Sequence, residues 1–124
     1  MLTFFLACAV GPDAPPEILY DHVACAHCAM LVSDPESVAA LTETGGATRI
    51  FDDPGCLLRY MAAEHPSVRH LWFHHGNQWF SEGDVAFRGE SGLTPMGSGL
   101  VAVAVGTPGA LTVGEASGRL LAAP

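Results

Sequence analysis

The chain has 124 residues, 49% of them hydrophobic and only 15% charged, which fits one compact domain or two small units sharing a core and argues against intrinsic disorder. Five Lys+Arg against 13 Asp+Glu give a net charge of −8, so no basic stripe for nucleic acid can be built, and an anionic membrane surface is disfavoured for the same reason. No apolar run reaches the roughly 18 residues of a membrane-spanning helix.

Met1–Val10 (MLTFFLACAV) is apolar and has the character of a secretory signal's tail. Leu6-Ala7-Cys8 resembles a bacterial lipoprotein cleavage site, in which Cys8 becomes the lipidated first residue. The stretch is short and lacks a basic region, so an ordinary apolar N-terminus is the alternative. Residues 1–8 are expected as a signal remnant and residues 9–17 as a stiff, Pro-rich tether.

Ile18–Tyr20 is a short apolar run that leads into a Cys/His-rich turn, His22–Met30. Met30–Val32 is expected as a short strand, and Ser33–Thr44 as a polar, turn-rich stretch ending at Gly45-Gly46. The β-branched residues of Ala47–Phe51 predict a strand. Asp53 then reads as an N-cap and Pro54 as the first helical position, with the helix running over Gly55–Glu64 and stopping before Pro66. Val68–Phe73 predicts a strand, His74–Gln78 a turn, and Trp79-Phe80 a further strand that Val85–Arg88 continues after a kink. Leu100–Val105 reads as a buried strand, and Gly118–Leu121 as a segment that closes the sheet.

Asp53-Pro54-Gly55-Cys56-Leu57 after one strand is echoed by Thr107-Pro108-Gly109-Ala110-Leu111 after another. The echo predicts an α+β fold of two strand–strand–helix–strand units, residues 18–75 carrying the Cys/Met site and residues 76–124 forming a degenerate second copy. The second helix, GALTVGEASG, is the weaker, because Gly109, Gly114 and Gly118 each cost about 1 kcal/mol against Ala in a helix interior.

Most of the chemistry lies in Cys25-Ala-His27-Cys28-Ala-Met30. Thiolate and thioether donors select Cu(I), whereas thiolate with imidazole also suits zinc. In an extended segment Cys28 and Met30 point to one face, so both sulfurs reach one ion. Cys25, His27 and Met96 are secondary candidates. Alternatives remain: Cys25 and Cys28 as a redox pair, or Cys25 oxidised with Cys28 or Cys56 as a structural bridge. Cys56 reads first as a small buried core residue, although a helix N-terminus favours its thiolate. His70, His74 and His75 flank Trp72-Phe73, and one of them beside the sulfur pair would complete a three-coordinate site. No nucleophile–base constellation is legible, so no enzyme is expected.

Three ordered motifs now stand out: Cys25–Val32 (CAHCAMLV), Phe51–Leu57 (FDDPGCL) and Thr94–Ala102 (TPMGSGLVA). With them the chain resembles the NosL family, the nitrous oxide reductase accessory lipoproteins. The resemblance implies a Cu(I)-binding copper chaperone on the periplasmic side, lipid-anchored at Cys8, with Cys28 and Met30 as ligands and a histidine expected as a further one. It implies as partners nitrous oxide reductase or a related copper enzyme and a membrane ABC-type maturation complex. The family fold, two strand–strand–helix–strand units, is similar to the N-terminal domain of organomercurial lyase.

Overall fold

The computed structural model describes residues 13–89 and 94–122, so Cys8 and the signal-like stretch lie outside the described residues. The architecture is α+β: six strands in two antiparallel sheets, with two helices.

The larger sheet has the order β2-β1-β3-β4. Strands β1 (Ala39–Glu43) and β2 (Thr48–Phe51) form a hairpin whose turn places Gly46 at φ 95°, a conformation natural only to glycine. Strand β3 (Val68–His75) pairs with the other edge of β1, and β4 (Gln78–Ser81) returns along β3. The β3–β4 hairpin carries this sheet across position 76, so the two expected units share a sheet at their boundary.

β1 lies inside the segment expected to be polar and turn-rich. Ala39, Ala40, Leu41 and Thr42 are all buried, so both faces of the strand are covered and the alternation that marks a half-exposed strand is missing. The strand expected at Met30–Val32 is instead loop, with one isolated bridge between Ala24 and Leu31.

Helix α1 (Pro54–Glu64) begins where the sequence places it. The Asp53 carboxylate accepts the Gly55 N–H at 2.7 Å, and Pro54 has no N–H to satisfy. His65 closes the helix at φ 47°, its N–H bonding the Met61 carbonyl at 3.0 Å. Tyr60 stands against Phe51 of β2 with ring centroids 5.2 Å apart, which seats the helix on the sheet.

The second sheet pairs β5 (Val85–Gly89) with β6 (Leu100–Ala104). β5 does not continue β4. A turn closed by Asp84 N–H on the Ser81 carbonyl sends the chain into the other sheet. Phe73 of β3 and Phe87 of β5 meet edge-to-face, centroids 4.9 Å apart, and join the two sheets. Burying each such ring stabilises the fold by about 1.5–3 kcal/mol.

Helix α2 (Val113–Ala122) completes the described chain. Gly118–Leu121, expected as strand, is helical. The helix starts later than the echo of Pro54 at Pro108 suggests, because Thr107–Ala110 is a turn with Gly109 at φ 77° and Leu111 bridges to Phe87. Thr112 and Glu115 then form a reciprocal cap, each backbone N–H bonded to the other's side chain at 3.1 Å. β5, β6 and α2 thus repeat the order β1, β2, α1.

Candidate metal centre

Residues Cys25–Met30 form a tight loop, not an extended segment. The Ala29 N–H bonds the Cys25 carbonyl at 3.0 Å, and the Cys25 N–H bonds the Met30 carbonyl at 2.7 Å. Ala29 sits at φ 66°, in the left-handed region, which interrupts the extended geometry expected to give Cys28 and Met30 a common face. Ala26 N–H bonds the Ile50 carbonyl of β2 at 2.8 Å, so the loop is fastened to the sheet edge just before Asp52.

Cys56 stands in the first turn of α1, and Asp52 lies between β2 and the helix. One ligand atom each from Cys25, Cys28, Asp52 and Cys56 lie within 4.8 Å of one another. Cys25, Asp52 and Cys56 are buried, and Cys28 is half-buried. The Cys28 thiol donates to Asp52 Oδ1 at 3.4 Å. Asp52 and Cys56 are the members that sequence reasoning missed. The signal was present in the position of Cys56 at a helix N-terminus, but a lone cysteine three residues after a cap is equally a core residue.

The three thiols do not share charge equally. A hydrogen bond from the Cys56 thiol holds Cys25 well below the ordinary thiol range, at about 6. Backbone N–H groups of Cys28, Asp52 and His27 act in the same direction, against the opposing effect of burial. Donating that proton to Cys25, together with burial, pushes Cys56 far up. Burial, with Cys25 and Asp52 nearby, pushes Cys28 up to about 11. The group therefore carries one thiolate at neutral pH and releases further protons when a cation replaces them.

A cleft of about 310 Å³ opens on this group. Its lining includes Cys28, Cys56, His27, Arg59, Met96 and Ser98. Two of the secondary candidates, His27 and Met96, thus border the same space as two of the thiols. Met96 is 47% exposed. Met30 projects from the loop and is 58% exposed.

The β3 histidines are engaged elsewhere. His70 lies between Asp13 and Glu82 at 2.8 Å each, His74 bonds the Pro35 carbonyl, and His75 bonds the Glu36 carbonyl at 3.2 Å. Asp13, in the middle of the expected tether, also makes two bonds to Arg69 at 2.9 and 3.0 Å, so the tether is fastened to β3 at that point.

Fold and site together define a small α+β protein in which Cys25, Cys28, Asp52 and Cys56 could hold a metal ion. Among the described residues no helix is long and apolar enough to cross a membrane. Comparison with protein-family models, with curated proteins and with solved structures returns no match.

Proposed function

We propose that this protein is a copper chaperone that binds Cu(I) through Cys25, Cys28 and Cys56 and passes it on by ligand exchange through the adjoining cleft. The observation that carries this reading is the convergence of three sulfurs within 4.8 Å beside a cleft bordered by Met96. Three soft donors suit Cu(I), and a thioether at the mouth is a weak, displaceable fourth. Met30, exposed on the same loop, is available to an ion in transit. His27 offers an imidazole from the cleft wall. Asp52 is a hard donor and acts better as acceptor for the Cys28 thiol than as a copper ligand. The three-motif resemblance supports delivery to nitrous oxide reductase or a related copper enzyme, with an ABC-type membrane complex as a further partner and a periplasmic setting.

Zinc is the competing cargo, since three thiolates and one carboxylate also make a tetrahedral set. An anaerobic titration of the reduced protein with Cu(I) against a competing chelator tests the reading, with Zn(II) in parallel. One tight Cu(I) equivalent, weakened by Cys28→Ser and by Met96→Leu, is expected. Tight binding of Zn(II) with no preference for Cu(I), or Cu(I) binding indifferent to all three cysteines, sinks it. In the second case the cysteines are a structural or redox pair.

A further inference from the structure

Acidic side chains outnumber basic ones by 13 to 5, so cations in this chain find partners easily. Arg49 pairs with Glu43 and Arg69 with Asp13. Arg59 makes no hydrogen bond or ion pair among the described residues. It stands exposed on α1, three residues after Cys56, which puts both on one helix face, and it lines the cleft with Cys28, Cys56 and Met96.

The other charged group on the cleft wall is already consumed. Asp53 is fully buried and its two oxygens accept from Gly55 N–H, Met96 N–H and the Ser98 hydroxyl. Facing the cleft are therefore two thiols, a thioether, the His27 imidazole and, as the cation without a partner among the described residues, the Arg59 guanidinium. The space, about 310 Å³, is far more than a bare ion needs.

Resting on the Cu(I) reading above, we propose that the cleft receives Cu(I) as a complex with a small thiol that bears a carboxylate, the sulfur on the metal and the carboxylate on Arg59. Arrival is ligand exchange without redox. One donor thiolate leaves the copper, the sulfurs of Cys25, Cys28 and Cys56 bond the metal with their remaining thiol protons lost to solvent, and copper stays Cu(I). The second donor thiolate remains until the acceptor displaces it. A guanidinium suits this role because it binds a carboxylate through two parallel hydrogen bonds.

The test uses full-length, reduced protein loaded anaerobically with one Cu(I). N-acetylcysteine is titrated against its amide, which keeps the thiol and loses the carboxylate, and ternary complexes are followed by calorimetry and native mass spectrometry. The wild type should bind the acid roughly tenfold more tightly than the amide, the size expected for a charge-assisted hydrogen bond. Arg59→Gln should erase that preference, and Arg59→Lys should keep part of it. Taking the acid-to-amide ratio in wild type over that in Arg59→Gln cancels the difference in thiol acidity. No ternary complex, or the same ratio in both proteins, overturns the proposal while leaving the copper reading intact. If Arg59→Gln weakens Cu(I) binding without added thiol and leaves the ratio unchanged, Arg59 only offsets the charge of the site, and the proposal also falls. Failure of the wild type to bind Cu(I) overturns both.

Discussion

The Asp53 carboxylate, which caps α1, also accepts the backbone N–H of Met96 at 3.0 Å, across a separation of 43 residues. Its other oxygen accepts from Gly55 N–H and from the Ser98 hydroxyl. One buried side chain thus fastens the Thr94–Gly99 loop to the helix turn that carries Cys56, and so holds Met96 over the cleft. Thr94 reinforces the loop from within, its hydroxyl accepting the Gly99 N–H at 3.1 Å.

Asp53→Asn keeps one acceptor oxygen and replaces the other with a donor that cannot face the Met96 N–H. Loss of about 1–2 kcal/mol of stability is expected from the damaged cap and the orphaned amide. The decisive measurement is hydrogen exchange at Met96, which should accelerate more than exchange in β3. Unchanged protection at Met96 would contradict the latch.

Gly55 is the second half of the same joint. A Cβ built there would come within 2.5 Å of the Ser98 Cβ. Gly55→Ala should therefore cost about 1–3 kcal/mol in urea unfolding, the range for overpacking. Ser98→Gly in the same chain should return part of it, giving a favourable coupling energy in a double-mutant cycle. Additive effects of the two changes would show that the contact is not what constrains Gly55.

The thiols should titrate in widely separated steps. Cys25, held at about 6 against an ordinary 9.0, is a thiolate in the folded state across neutral pH. Because its folded value is depressed, the stability it contributes is present above the unfolded value and is lost as pH falls through about 6. Ultraviolet thiolate absorbance should rise near pH 6 and again near 11, and Cys25→Ser should remove the first step. Each further proton displaced by the metal should make apparent affinity rise about tenfold per pH unit. A metal affinity independent of pH between those steps would show that Cys28 and Cys56 keep their protons.

His70 places both ring nitrogens against carboxylates, Nδ1 on Glu82 and Nε2 on Asp13. Only the imidazolium has two N–H donors, so these neighbours raise its titration point above the ordinary 6.5, the Asp13 hydrogen bond contributing most. Its folded value being raised, the stabilisation is complete below 6.5 and disappears as pH climbs through the folded value. The difference in melting temperature between wild type and His70→Gln should be largest near pH 5.5 and shrink toward pH 8.5. An NMR titration of His70 with its midpoint at or below 6.5 would contradict this arrangement.

Residues whose role depends on near neighbours were legible without coordinates. Asp53 and Pro54 announce a helix because cap and first-turn preferences act within four residues. The turn at Gly45-Gly46 and strands β2, β3 and β6 follow from local composition in the same way. β1 was hidden because a strand covered on both faces has no period to detect. The second helix was legible but placed four residues early, at Gly109–Gly118 instead of Val113–Ala122, because the Pro-Gly echo marks a turn here; the cost of its glycines is outweighed by the Thr112–Glu115 cap and by burial of Ala116 and Leu120. The Cys/His-rich loop could be singled out by residue type alone, since soft donors at close spacing are uncommon outside metal and redox sites.

The sequence by itself determined the α+β class, the start of α1 and the segment that carries Cys25 and Cys28, because each rests on interactions between residues a few positions apart. Only the tertiary structure decided that Cys56 and Asp52 join those two thiols, that the β3 histidines turn to Asp13, Glu82, Pro35 and Glu36, and that Met96 stands over the cleft. Those pairings are set by packing and by hydrogen bonds across 12 to 57 residues of chain, where spacing in the sequence carries no distance.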